Sequence, residues 1–171
     1  PVPVRKGRTV SIWLFGVLGF VLLLLAAYFG YALGAAASVV GMVLALVPLT
    51  IVLLGVRLID RWEPEPKTLV VFAIAWGGIA AVGITLLVDL GLLMTVGPRS
   101  EFFSAVIQAP LVEEITKGFG VFLIFLVARR AFDGPVDGVV YGALVGAGFA
   151  FSVYIQFFAI SLIEGGTLQL T

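Results

Sequence analysis

The sequence predicts an all-α protein, a polytopic bundle of about five transmembrane helices with its amino terminus in the cytoplasm. Three observations support this. First, the 171 residues are 61% hydrophobic and only 12% charged, whereas soluble domains carry about 25% charged residues. Second, five apolar stretches reach the length of roughly 20 residues that a helix needs to cross a bilayer. Third, most of the Lys and Arg residues lie in segments that such a topology places on one side.

The first two spans follow from apolar length. A short basic segment precedes the first span, at about residues 11–33, which is too long for the apolar part of a signal peptide. The second span covers about residues 35–59, with a predicted kink at Pro48. The loop DRWEPEPK at residues 60–67 follows, because two X-Pro steps disfavour helix, and Trp62 is typical of an interfacial anchor.

The remaining spans are predicted at about residues 68–96, 105–128 and 138–163. Gly97 and Pro98 end the third, and the charged loop RRAFDGPVD separates the last two. Gly138, Gly142 and Gly146 recur at steps of four in the fifth span, which predicts close approach of another helix along that stripe. We expect one transmembrane domain over residues 1–171 that is incomplete at its carboxy-terminal end.

Basic residues predict the orientation. Eight of the ten Lys and Arg residues lie in the amino-terminal segment, the second-to-third loop and the fourth-to-fifth loop. Only Arg99 lies on the opposite side, and Lys117 lies within a span. The positive-inside rule therefore places the amino terminus in the cytoplasm.

The motif APLVEEITKG at residues 109–118 places three ionisable groups inside the fourth apolar span. Each charge at membrane depth costs at least about 2.5–3.5 kcal/mol on insertion scales, so such groups indicate a functional site. Lys117 is within reach of Glu113 at i,i+4 and of Glu114 at i,i+3. One lysine cannot compensate two carboxylates, which leaves one Glu ionised and available as a general base, or held protonated by burial.

Other interpretations of these groups stay open. The three charges form a catalytic site, a structural ion-pair cluster, or part of an ion or proton pathway. Asp89, the acid of the third span, is a supporting site residue, a partner of Lys117, or a polar residue near the membrane surface. At 1.5 Å per residue, Asp89 lies about 11 Å below the outer end of its helix. Glu113, Glu114 and Val153 are then predicted in nearly the same layer.

Composition excludes several chemistries. The chain contains no Cys and therefore no thiolate chemistry, and it contains no His, the commonest metal ligand and acid–base residue. Its formal net charge is zero, which implies no bulk attraction to nucleic acid. The expected surroundings are the lipid bilayer, and the oligomeric state stays open.

Several stretches together resemble the PrsW family of bacterial intramembrane proteases. They are DRWEPEP at 60–66, WGG at 76–78, APLVEEITKG at 109–118, FDGPVDGVVYGALVGAGFAF at 132–151 and FFAISLIEGG at 157–166. The family is distantly similar to the CAAX-prenyl protease and bacteriocin-immunity group. The resemblance implies a multi-pass protein of the bacterial plasma membrane that hydrolyses a peptide bond. It implies a single-span, membrane-anchored substrate of the anti-sigma-factor kind, whose cleavage starts a stress response.

The resemblance also assigns residues. Glu113 and Glu114 match the double Glu that activates water, and Lys117 matches the basic residue after it. Val153 and Tyr154 stand where the family pattern continues with Glu and Asn. A later His motif of the family has no counterpart in these 171 residues. The cofactor stays open: the family is classed with metalloproteases, which suggests a divalent metal such as zinc, but the residues seen require none.

Three functions are therefore compared. The first is an intramembrane protease that uses water activated by Glu113 or Glu114. The second is a catalytically incomplete relative that binds membrane segments or acts in a scaffold, as the replacement at Val153 suggests. The third is a small transporter with Glu113, Glu114 and Asp89 as a relay, although a transporter more often shows two related halves.

Overall fold

The computed structural model describes residues 5–62, 64–132 and 134–165, and every regular element within them is a helix. Helix α1 covers Arg5–Leu33, α2 covers Ala35–Ile59 and α3 covers Lys67–Val96. Helix α4 covers residues 101–127, and α5 covers Pro135–Glu164. Helices suit an apolar chain in lipid because they satisfy their backbone hydrogen bonds internally. The prediction of an all-α membrane bundle is confirmed.

Four helical segments of the described chain are long and apolar enough to cross a membrane: Ser11–Leu33, Ala35–Ile59, Lys67–Val96 and Pro135–Glu164. These correspond to four of the five predicted spans. Helix α4 forms where the remaining span was predicted, but it begins four residues earlier. It differs from the four apolar segments because it carries the charged residues Glu113, Glu114 and Lys117 in its interior. The Glu pair therefore lies about 18 Å along α4 from its first residue, deeper than the predicted start implied.

Two glycines allow the tight connections on one side of the bundle. Gly34, with φ of +82°, separates α1 from α2, and Gly97, with φ of +85°, ends α3. Residues with a β-carbon rarely adopt such angles, which explains glycine at both positions. The single-residue junction at Gly34 makes α1 and α2 neighbours.

Helix α5 is the centre of the bundle and contacts all four other helices. It is apolar around much of its circumference, as expected for a helix enclosed by others. Its fully buried large side chains are Val140, Tyr141, Leu144 and Val145.

Helices α3 and α5 cross with their backbones almost in contact. A β-carbon at Gly77 would overlap the Val145 carbonyl oxygen, and one at Gly148 would overlap the Ile74 carbonyl oxygen. The crossing lies at a π-helical stretch of α3, Trp76–Ala81. There the Ser152 hydroxyl donates to the Gly78 carbonyl oxygen at 2.6 Å. Wide π turns disturb the α-helical ladder, and this side chain satisfies a carbonyl at the disturbed site.

The prediction that another helix approaches α5 closely along the glycine stripe is wrong. No neighbouring atom lies within 4 Å of a β-carbon built at Gly138, Gly142 or Gly146. The contact uses the adjacent face of α5, at Gly148 and Ser152. A spacing of four also occurs on faces that no helix covers, so periodicity alone cannot select the packed face.

The two prolines within helices behave differently. Helix α2 continues through Pro48 without interruption. In α4, Pro110 lies two residues after a π-helical stretch, Ser104–Gln108, whose last turn is closed by Ala109 N–H donating to the Ser104 carbonyl oxygen. The wider turn accommodates a residue that has no N–H to donate and whose ring crowds the preceding turn.

Candidate active site

The ionisable groups of α4 divide into an ion pair and a separate acid. Lys117 Nζ lies 2.5 Å from Glu114 Oε1, one helical turn apart. The ammonium also lies 4.8 Å from the ring centroid of Phe149 on α5, a cation–π distance. The Glu114 side chain is 73% exposed at the bundle surface. Lys117 is thus engaged by Glu114 and by an aromatic face of the central helix.

Glu113 is half-buried, and no described residue hydrogen-bonds to its carboxylate. Its position is four residues before Lys117 and three before buried Thr116, so it lies at the edge of the packed face of α4. The sequence left open which Glu engages Lys117. The structure pairs Glu114 with the lysine and leaves the carboxylate oxygens of Glu113 available to accept a proton.

The rotation of α4 is set by a buried stripe at Thr116, Gly120 and Ile124. The Trp76 indole N–H donates to the Thr116 carbonyl oxygen at 3.0 Å, and a β-carbon at Gly120 would overlap the indole ring. Trp76 therefore fixes how α4 packs against α3, about one turn from Glu113 and Glu114, the acidic pair. Sequence reasoning did not assign this role, although the spacing of four between Thr116 and Gly120 and the WGG motif were its available signals.

Asp89 lies apart from the acidic pair. Gln108 Nε2 donates to Asp89 Oδ1 at 2.6 Å, and Arg99 Nη2 lies 3.9 Å from the same oxygen. Gln108 precedes Glu113 by five residues, a rise of about 7.5 Å along α4. The predicted common layer is therefore wrong for Asp89, because α4 begins earlier than its apolar run. Asp89 is the partner of Arg99 and Gln108 rather than of Lys117.

Val153 and Tyr154 both lie on the partly exposed side of α5. Val153 follows Phe149 by one turn, and Glu113 precedes Lys117 by one turn on the antiparallel helix. Because Lys117 contacts Phe149, helix geometry brings Val153 and Glu113 to similar depth. The Tyr154 ring stacks on Phe158, with centroids 5.8 Å apart.

A second polar cluster lies at the opposite end of the bundle. The Tyr141 hydroxyl donates to Glu65 Oε2 at 2.5 Å, and Glu65 N–H donates to Asp60 Oδ2 at 2.9 Å. Burial raises the pKa of Glu65, and the nearby Asp137 and Asp60 carboxylates raise it further, against the Tyr141 hydrogen bond. These contacts tie the DRWEPEP loop to α5. Glu63 of that loop and Asp133 of the next lie outside the described residues.

Comparison with known proteins identifies the family. A sequence profile described as PrsW family intramembrane metalloprotease matches residues 65–168, more than half of the chain. The chain belongs to the PrsW family. No curated protein matches it significantly, and no solved structure does so either. The match covers α3, α4 and α5, including the acidic pair, Trp76 and the hydrogen-bonded Glu65 and Tyr141, and it assigns the chain to a group of membrane-embedded peptidases.

The family description implies a metal, and the described residues of this PrsW-family chain do not form a complete site for one. They contain no group of three or more His, Cys, Asp or Glu side chains that is able to hold a metal ion. Catalytic zinc takes three protein ligands in addition to water. Here two adjacent carboxylates are present, one of them bound to Lys117, and a valine stands where the resemblance expects a third acid.

Proposed function

We propose that this chain is a PrsW-type intramembrane peptidase of the bacterial plasma membrane in which Glu113 activates the attacking water. The observation that carries this proposal is the asymmetry of the acidic pair. Glu114 is bound to Lys117 at 2.5 Å, whereas the half-buried Glu113 carboxylate has no hydrogen-bond partner among the described residues. A general base needs free lone pairs within reach of water, and Glu113 supplies them.

The proposed reaction is hydrolysis of a peptide bond. Glu113 takes a proton from water as the water oxygen attacks the carbonyl carbon. The resulting tetrahedral oxyanion is stabilised by the positive charge of Lys117, one turn away. The C–N bond then breaks, and Glu113 returns its proton to the departing amine. Glu114 is a positioning residue in this scheme, because it holds the Lys117 ammonium near Phe149.

The proposed substrate is a single-span protein of the membrane-anchored anti-sigma-factor kind. The family resemblance supports that class, and the depth of Glu113, about 18 Å from the first residue of α4, supports a scissile bond within the membrane. Water has to reach this depth, and Glu114, exposed beside Lys117, gives the open side of α4 a polar character that favours it.

The test is cleavage of a fluorogenic single-span substrate in liposomes that contain the purified chain. Glu113→Gln should abolish cleavage, because an amide cannot accept the proton, with a loss of about 10²-fold or more. Glu101→Gln, which removes an exposed carboxylate at the start of α4, is the matched control and should cleave normally. Equal cleavage by Glu113→Gln and the wild type, with both folded, would disprove the assignment.

The residues Val153 and Tyr154 favour a second function, because they stand where the family pattern has Glu and Asn. In this second function the chain is a catalytically incomplete relative that binds membrane segments without cutting them. Valine can neither activate water nor ligate a metal. In that case the wild type binds the single-span substrate without cleaving it. Val153→Glu combined with Tyr154→Asn should then create cleavage that depends on Glu113. If the wild type already cleaves, and does so at the rate of this double variant, the second function is ruled out.

A further inference from the structure

A groove between α1 and α3 joins two cavities of different chemistry. One is wholly apolar, with a volume of about 430 Å³, and the other, of about 600 Å³, lies against the α3–α4 connection. Tyr28, Leu86 and Leu87 line both cavities, which are therefore adjoining parts of one groove. None of these residues belongs to the proposed peptidase site.

The apolar part is long enough to hold an extended acyl chain. Along α3 its wall reaches from Leu87 to Phe72. Fifteen residues of helix rise about 22 Å, about three quarters of the roughly 30 Å hydrocarbon core. A β-carbon at Gly83 would lie 3.3 Å from Val21 of α1, so glycine keeps the groove open at its middle.

The other part of the groove carries two opposite charges. Asp89 and Arg99 both line it, and Arg99 Nη2 lies 3.9 Å from Asp89 Oδ1, too far for a hydrogen bond. The Asp89 side chain is 61% exposed although it lies seven residues inside the end of α3. Such a charge at membrane depth requires compensation, and Asp89 receives it from one hydrogen bond donated by Gln108 and from the ion pair with Arg99, which leaves its exposed side able to bind a further cation.

Two buried polar atoms beside this cavity also lack partners. Within the described chain, neither Arg99 Nε nor Gln108 Oε1 has a hydrogen-bond partner. Gln108 is only 8% exposed and uses its amide nitrogen on Asp89 Oδ1. Unsatisfied buried polar atoms are costly and therefore uncommon in folded proteins. The cavity wall thus has a largely exposed carboxylate, at Asp89, and a guanidinium with a spare donor, at Arg99. Gln108, which is hydrogen-bonded to the carboxylate, has a spare amide acceptor.

We propose that the groove binds one phospholipid with a primary ammonium headgroup. Its ammonium donates to Asp89, its phosphate accepts from Arg99, and one acyl chain lies along the apolar part between α1 and α3. Positive-inside orientation places this lipid in the outer leaflet. Trp76 also lines this groove, and its indole N–H donates to the Thr116 carbonyl oxygen of α4, so the bound lipid packs against the residue that orients the acidic pair.

The test measures which lipids the purified chain retains, by native mass spectrometry after exchange into an equimolar mixture of dioleoyl-phosphatidylethanolamine and dioleoyl-phosphatidylglycerol. We expect the wild type to retain the ethanolamine lipid about tenfold in preference, equivalent to about 1.4 kcal/mol. Asp89→Asn should abolish the preference. Glu101→Gln, an exposed carboxylate of the same end that does not line the groove, should leave it unchanged.

A second variant tests the location of the lipid. Leu87→Trp at the exposed rim should fill the groove and lower retention of both lipids several-fold, with helicity and elution volume unchanged. Equal retention of both lipids by the wild type, a preference that persists in Asp89→Asn, or full retention by Leu87→Trp would each overturn the proposal. None of these outcomes depends on peptidase activity.

Discussion

The contact between Trp76 and Gly120 gives the sharpest test of how α4 is held. A β-carbon at Gly120 would overlap the indole ring, which is buried and whose N–H donates to the Thr116 carbonyl oxygen. In Gly120→Ala the ring must move away. Overpacking of this kind costs about 1–3 kcal/mol, and loss of the hydrogen bond adds about 0.5–1.5 kcal/mol.

Gly118→Ala is the matched control. No neighbouring atom lies within 4 Å of a β-carbon built at Gly118, two residues away on the exposed side of the same helix. Both variants gain the same helix propensity, about 0.8–1.0 kcal/mol for replacing glycine by alanine. Their difference therefore isolates the packing effect, and Gly120→Ala should be about 1.5–4.5 kcal/mol less stable than Gly118→Ala.

The assay is reversible unfolding in mixed micelles, followed by circular dichroism and by Trp fluorescence. Trp76→Leu combined with Gly120→Ala should recover part of the lost stability, because leucine leaves room for the new methyl group. Equal stability of Gly120→Ala and Gly118→Ala would refute the proposed contact. Additive effects in the double variant would refute the direct coupling of the two positions.

Three further predictions follow from other contacts. Lys117→Ala should lower the folded fraction in micelles, because it leaves Glu114 unpaired, and Glu114→Gln should restore it better than Glu113→Gln does; equal rescue by both would contradict the observed pairing. The pKa of Glu65 is raised, so its stabilising contribution is complete below its unfolded pKa and is lost as pH rises through the folded value. In thermal melts from pH 4 to 7, the melting temperature of Glu65→Gln should therefore rise relative to that of the wild type as pH rises. A constant difference between the two melting temperatures would refute this. Pro64→Cys and Ser100→Cys, made singly in a chain without other cysteines, should be labelled from opposite sides of the membrane, and labelling of Pro64→Cys from outside intact cells would reverse the predicted orientation.

The long helices were predictable because the length of an apolar stretch identifies a helix that can cross a membrane. A helix that faces lipid must be apolar over about 20 residues, so the spans at residues 11–33 and 35–59 were placed to within the helices that contain them. The acidic pair was predictable for the opposite reason, since charges within an apolar span stand out against that background.

The sequence by itself determined the all-α bundle, the number of long helices and the location of Glu113, Glu114 and Lys117. Only the tertiary structure decided which face of α5 meets α3, which Glu pairs with Lys117, and that Asp89 contacts Gln108 instead of the acidic pair. The physical reason is that nearly every face of these helices is apolar, so hydrophobicity does not distinguish the packed face from the lipid-facing one. Helix rotation depends instead on close fits such as Gly148 against the Ile74 carbonyl, and on π turns that shift the face of every later residue.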